Sequence, residues 1–254
     1  MRNIKLTLAY DGTDYYGWAI QPNVPTIQGT VVDILERITQ ERIRLHGCGR
    51  TDAGVHALGQ VAHCKLRSTL PAEKLQRALN CLLPPSIRVT AVKEVPGDFH
   101  ARWHAKAKTY RYRILRAPVC PPFVWRYVYH YPFPLDTAAI ARALPQLIGE
   151  HNFTSFSSWA SERDEEKNKV RTVLAAEVAE LETDQELVFT FHGRAFLRHM
   201  VRKMVGTLIE VGKGRLPETG ISEILAARDR TCSGPTVPPS GLCLVSVDYP
   251  EPYR

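Results

Sequence analysis

The sequence predicts an α+β fold built from two successive β-α-β-β-α-β halves, residues 1–104 and 105–254, and three observations carry that expectation. Stretches with period-two apolar alternation and stretches with helical apolar spacing follow one another in the order strand, helix, strand, strand, helix, strand. The same order returns after the break Val95-Pro96-Gly97, with no matching repeat of the sequence itself. An apolar content of 44% over 254 residues is enough to fill the core of one large domain or two ordinary ones.

In the first half, Ile4, Leu6, Leu8 and Tyr10 share one side of an opening strand that Asp11-Gly12 ends. Thr26 is placed to cap a helix from Ile27, on which Val31, Ile34, Leu35 and Ile38 form one apolar face. Two strands come next, Arg42 to Cys48 and Gln60 to Leu66, joined by the run GRTDAGVH at residues 49–56. Pro71 stands at the first turn of a second helix carrying Leu75, Ala78, Leu79 and Leu82, and Ile87, Val89 and Ala91 form a fourth strand.

The second half opens with a strand at Tyr110 to Arg116 and a helix around Ile140, Leu144, Leu147 and Ile148. Strands near Leu174 to Leu181 and Leu187 to Gly193, a long helix from about Phe196 to Val211, and a last strand Leu242 to Tyr249 complete it. Two halves of this kind can join their antiparallel sheets edge to edge, with the helices on one face and the other face left for a ligand. The insertions Ala117 to Pro134 and Ser155 to Lys169 exceed ordinary connections and read as binding loops. Within the latter, Glu162, Asp164, Glu165 and Glu166 read as a solvated stretch.

Lys and Arg outnumber Asp and Glu by 33 to 26, a net charge of +7 that favours an anionic, phosphate-rich partner. Met1 to Ala9 alternates charged and apolar residues, and no later segment has the length a bilayer span requires, so a soluble protein with no membrane partner is expected. The six cysteines form no C-x-x-C pair and read as small buried thiols in a reducing, cytoplasmic setting. His46, Cys48, His63 and Cys64 could be imagined as a metal site, but their spacing matches no common zinc pattern, and no metal is expected.

Asp52 stands out because it occupies a turn that no hydrophobic period could place in the core. The plainer reading is a turn aspartate bonding its own backbone in an Asp-x-Gly sequence. Arg50, two residues earlier, shifts the balance. A carboxylate in a closed pocket loses solvation, and a guanidinium beside it keeps such a nucleophile ionised. Arg50 could equally contact a phosphate or fill the gap left by an extruded base. On the strand from Tyr110, the residues Tyr110, Tyr112 and Ile114 share one face while Arg111 and Arg113 share the other. Tyr112 reads as core and Tyr110, at the strand's rim, as a stacking residue. In the helix AFLRHMVRKMVGTL, Arg198 and Arg202 lie at i and i+4 without acidic partners, which suits a phosphate or a carboxylate.

These residues resemble those of the tRNA pseudouridine synthase A family, bacterial enzymes that modify the anticodon stem-loop. The resemblance rests on AYDGTDYYGW (9–18), TIQG (26–29), GRTDAGVHALGQVAH (49–63), DFHAR (98–102), TYRYRI (109–114), NFTSF (152–156), HMVRKMVGTLIEVG (199–212) and GLCLVSVDYP (241–250), in order along nearly the whole chain. It implies two ferredoxin-like halves in one extended, mainly antiparallel sheet, and usually a homodimer whose basic cleft takes one tRNA. It implies isomerisation of uridine at tRNA positions 38, 39 and 40, with Asp52 catalytic, Tyr110 stacking on the base, Arg50 and Arg202 at the site, and no cofactor. Where the family reads Gly-Trp-Gln, this chain has Gly17-Trp18-Ala19-Ile20, a departure that touches substrate contacts and leaves the chemistry alone. Two other readings remain: a noncatalytic RNA-binding protein, which leaves Asp52 without a role, and an aspartyl phosphotransferase, for which no glycine-rich phosphate loop is present.

Overall fold

The computed structural model describes residues 1–158, 168–181 and 185–254. The chain divides into two compact units, Met1–Lys108 with Cys243–Arg254, and Thr109–Leu242. The boundary expected after residue 104 thus falls after Lys108, and the last strand, expected in the second half, packs with the first.

In the first unit the elements are β1 (Arg2–Tyr10), α1 (Ile27–Thr39), β2 (His46–Gly47), β3 (His56–Leu66), α2 (Ala72–Leu82) and β4 (Ile87–Val95). The order across the sheet is β4-β1-β3, and β1 runs antiparallel to both neighbours. The far edge of β3 is shared. β2 pairs there antiparallel through His46↔His63, and β10 (Leu242–Asp248) pairs parallel through Cys243↔His56. This is the split β-α-β arrangement that the element order predicted.

Ile4, Leu6 and Leu8 are fully buried, as expected of one strand face, together with Val31 and Leu35 of α1 and Leu75 and Leu79 of α2. Helix α1 starts where predicted because the Thr26 hydroxyl accepts from Gly29 N at 3.2 Å, satisfying one of the donors every helix start leaves open. The strand expected over Arg42 to Cys48 is reduced to two residues. The alternation behind that expectation is real, with Ile43 and Leu45 buried, but α1 takes the backbone's hydrogen bonds. Glu36 accepts from Ile43 N at 2.9 Å and Gln28 donates to Leu45 O at 2.7 Å.

The second unit holds β5 (Ala107–Leu115, all but its first two residues), β6 (Tyr129–His130), α3 (Thr137–Ala143), β7 (Gly149–Asn152), β8 (Val170–Leu181), β9 (Glu186–Gly193), α4 (Met200–Gly212) and α5 (Gly220–Ala227). Its sheet runs β5-β9-β8-β7, with β6 beside β5. The helix expected from Phe196 begins at Met200, because His199 takes a left-handed conformation at φ 61° that a regular helix cannot contain. Helix α4 is buried nearly all round. At Gly206 it is crossed so closely that an added Cβ would lie 1.8 Å from Pro235 O. The acidic stretch at 162–166 lies outside the described residues. Of the cysteines, Cys48 and Cys64 are buried, whereas Cys81 and Cys232 are exposed and the other two half-buried, so the general expectation of buried thiols fails. Cys81 is on the outer side of α2, one residue before the exposed Leu82.

Replacing Thr26 with Ala removes the cap of α1 and should lower stability by about 1 kcal/mol, with Thr26→Ser restoring most of it, measured by urea unfolding.

Candidate active site

Asp52 lies on the connection between β2 and β3, half-buried, with Arg50 exposed and Thr51 buried. The loop is held from beneath by the segment that follows β1. The Tyr10 hydroxyl and Thr51 Oγ1 share a hydrogen bond of 2.8 Å, and Thr51 O accepts from Trp18 N at 3.0 Å. Thr51 is therefore tied at both its side chain and its backbone. Gln60 Nε2 donates to Gly49 O at 3.1 Å and to the Tyr10 hydroxyl oxygen at 3.3 Å, while Lys108 Nζ donates to Cys48 O at 3.0 Å. Burial pushes the Tyr10 phenol above its ordinary range, so it remains a neutral donor and acceptor.

Two glycines allow this approach. A Cβ on Gly12 would lie 2.0 Å from Val55 O, and one on Gly17, at φ +88°, would lie 2.6 Å from Thr51 O. Ala19 and Ile20 lie at the outer end of this segment, and Ile20 is exposed.

In the second unit, Tyr110 is the fourth residue of β5 and not its entrance. It is 9% exposed, nearly as buried as Tyr112, and its ring meets Phe196 edge to face at 5.2 Å. Tyr112 is core, as expected, and its hydroxyl donates to Pro238 O at 2.7 Å. Arg113 forms a two-pronged pair with Glu186, at 2.7 and 2.6 Å, which commits it to the sheet. Arg202 lies on the first turn of α4 and donates from Nε to Val237 O at 2.7 Å. Arg198 sits in the turn before that helix, so the two arginines do not share a helical face.

Asp52 and Arg50 thus fall in the first unit, Tyr110 and Arg202 in the second. The imagined metal set does not gather. Cys48 Sγ donates to Gln60 at 2.9 Å, and His63 and Cys64, being neighbours on β3, point to opposite sheet faces. The His63 Nδ1 accepts from Ala101 N at 3.1 Å.

The sequence model of a family described as tRNA pseudouridine synthase matches residues 7–104 and 143–250. The chain belongs to that family. A tRNA pseudouridine synthase A of Solibacter usitatus is 47% identical over 249 residues, covering 98% of this chain and 100% of the relative. Proteins of the same name from Brevibacillus brevis and Caldicellulosiruptor saccharolyticus are 45% and 44% identical, each over 98% of this chain and 100% of their own length.

Against this family background, sequence reasoning had missed the residues that hold the loop: Tyr10, Thr51, Gln60 and Lys108. Tyr10 was visible only as an apolar strand member, and nothing local marks Gln60 as its partner 50 residues away. Lys203 was missed as well. It is buried beside Arg202, and its Nζ donates to Ser233 Oγ at 2.8 Å and Arg230 O at 3.1 Å. Burial, with Arg230 nearby, holds its ammonium below the usual lysine range.

Gly12→Ala should displace the Val55 carbonyl and the loop with it, lowering turnover at least about 100-fold while far-ultraviolet circular dichroism stays unchanged. Burial, reinforced by His100 and His46, brings the His63 imidazole down to about 4. An unfolded histidine titrates near 6.5, so between about pH 6.5 and 4 the unfolded chain binds a proton that the folded one refuses. The His63 contribution to stability is complete above that window and is lost as pH falls through it. Urea midpoints taken across the window should therefore drop less steeply in His63→Gln than in wild type.

Proposed function

We propose that this chain isomerises uridine to pseudouridine in the anticodon stem-loop of tRNA, at positions 38, 39 and 40, with Asp52 as its nucleophile. The observation that carries the reading is the presentation of Asp52 on a loop whose preceding residue, Thr51, is fastened at side chain and backbone. A turn aspartate with only a structural task would not call for that support. The names borne by relatives across the full length favour the same reaction and disfavour a noncatalytic RNA-binding protein.

In the reaction the bond between N1 of uracil and C1′ of ribose breaks, the base turns, and C5 bonds to C1′. The proton on C5 leaves to water and N1 gains one, so nothing is oxidised or reduced. Addition of Asp52 to C6, attack at C1′, and elimination to a glycal all require a carboxylate held at the nucleoside. The uridine leaves its stack at a cost of a few kcal/mol, and one base–aromatic contact returns about 1 to 3 kcal/mol. Tyr110 is assigned that contact, and its packing on Phe196 supports the role by fixing the ring plane before the base arrives. Arg50 and Arg202 are assigned to the substrate's phosphates or to the reacting carboxylate. The working form is taken to be a cytoplasmic homodimer that binds one tRNA on a basic surface.

Tritium should be released from tRNA labelled at uridine C5 by wild type and not by Asp52→Asn, a loss of at least about 10⁴-fold in rate. Equal release from both proteins would remove Asp52 from the chemistry. Release should persist in excess chelator, and tRNA affinity should fall steeply as salt is raised.

A further inference from the structure

The segment from Asp98 to Lys106 takes no part in the chemistry above, yet it builds an ordered surface on the helix-free face of the first unit. The face begins with a cross-strand row. Lys93 of β4 lies opposite Lys5 of β1, Lys5 opposite His63 of β3, and His63 opposite His46 of β2. Basic groups directly opposite one another are unfavourable in a sheet unless something offsets them. Lys5 is partly provided for, since its Nζ donates to Tyr253 O at 2.6 Å and lies 5.4 Å from the centre of the Tyr249 ring.

From this row a column of rings rises to solvent. The His63 and His46 rings are 5.1 Å apart, His100 lies 4.6 Å from His63, and Trp103 stacks on His100 at 3.8 Å and 11°. The His100 ring is fixed in place, because its Nδ1 accepts from Arg102 N at 3.2 Å and from Trp103 N at 3.4 Å. Trp103 ends the column with 77% of its surface exposed. A large aromatic left in water but held rigid has lost its freedom before any ligand arrives, which lowers the cost of stacking on it.

We propose that Trp103 is a stacking platform for an unpaired base of the RNA substrate, with Arg102 and Lys65 taking the adjoining phosphates. Charge favours RNA over a protein partner. Arg102 and Lys65 are exposed and close enough to act on His100 and His63, and the carboxylate of Asp98 already accepts from the Tyr253 hydroxyl at 2.7 Å. Every base has a face that can stack, so the platform sets affinity and positioning and does not read sequence. The proposal rests on the tRNA reading and adds a contact away from the reacting uridine.

Filter binding of an unmodified tRNA transcript to wild type, Trp103→Ala, Trp103→Leu and Trp103→Phe tests it. Trp103→Ala and Trp103→Leu should bind about tenfold more weakly, Trp103→Phe within about threefold of wild type. Trp103→Ala should keep the wild-type salt dependence, whereas Arg102→Ala should flatten its slope by about one. At saturating tRNA, Trp103→Ala should turn over at close to the wild-type rate with a raised KM. Wild-type affinity in Trp103→Ala, or Leu serving as well as Phe, would overturn the platform. So would altered self-association of Trp103→Ala in sedimentation without RNA, at unchanged tRNA affinity, since a second copy of the chain would then be what covers the ring. Failure of wild type to release tritium would strike the synthase reading, while the affinities alone decide the platform.

Discussion

The constraint on which the site depends is the close backbone approach between the segment after β1 and the Asp52 loop. Without a side chain at Gly12 and Gly17, Val55 O and Thr51 O can lie where a Cβ would otherwise be. That approach brings Trp18 N to Thr51 O and leaves the Tyr10 hydroxyl facing Thr51 Oγ1. It also starts the first helix, because Gly17 O and Trp18 O accept from Ile27 N and Gln28 N at 3.1 and 2.9 Å. The stretch from Tyr10 to Trp18 thus fastens the loop on one side and anchors α1 on the other. With Asp52 as the proposed nucleophile, a displacement of even about 1 Å would cost much of its effect, so this support serves that proposed role as well as the fold.

Elements whose character lies in their own residues were legible in the sequence. β1, α1, α2 and β9 appear where period and caps placed them, since burial of one face decides their conformation. What escaped depended on distant partners. The strand at Arg42 shrank because Glu36 and Gln28 supply hydrogen bonds from a helix, and no pattern within residues 42–48 announces that. The start of α4 moved because a single residue, His199, turned left-handed. The position of Asp52 on an accessible loop could be read from GRTDAGVH, but the pairing of Gln60 with Tyr10 and Gly49 could not, because it is set by the register between β1 and β3.

In the second unit several basic side chains are committed within the fold. Arg113 is spent on Glu186, Arg142 on Glu218, and Lys213 and Arg215 both on Glu210. Lys203 is turned inward to backbone carbonyls and a serine, where it ties α4 to the segment around residues 230–233. The neighbouring Arg202 is fixed through Nε to Val237 O, so the orientation of its guanidinium is set by the same crossing chain that Gly206 admits. Lys203 and Arg202, adjacent in sequence, therefore both tie α4 to the chain that crosses it, Lys203 through its ammonium and Arg202 through Nε.

The first unit commits some of its cations in the same way. Arg2 pairs with Glu94 and Arg42 with Glu36, while among the described residues no carboxylate forms an ion pair with Arg50, Lys65 or Arg102. A net charge of +7 could have been spread as solvated side chains over the whole surface. Several cations are matched within the fold, while Arg50, on the Asp52 loop, and Lys65 and Arg102, near the ring column ending at Trp103, are among the exposed ones that are not. Surface ion pairs contribute little to stability, roughly 0 to 1 kcal/mol each, so pairing some cations and sparing others costs the fold little in either direction. It matters far more for association with a polyanion, where each unpaired cation that meets a phosphate releases a counterion. On the proposed tRNA reading, the placement of acidic residues therefore bears on which cations are left for phosphate, as much as the placement of basic ones does.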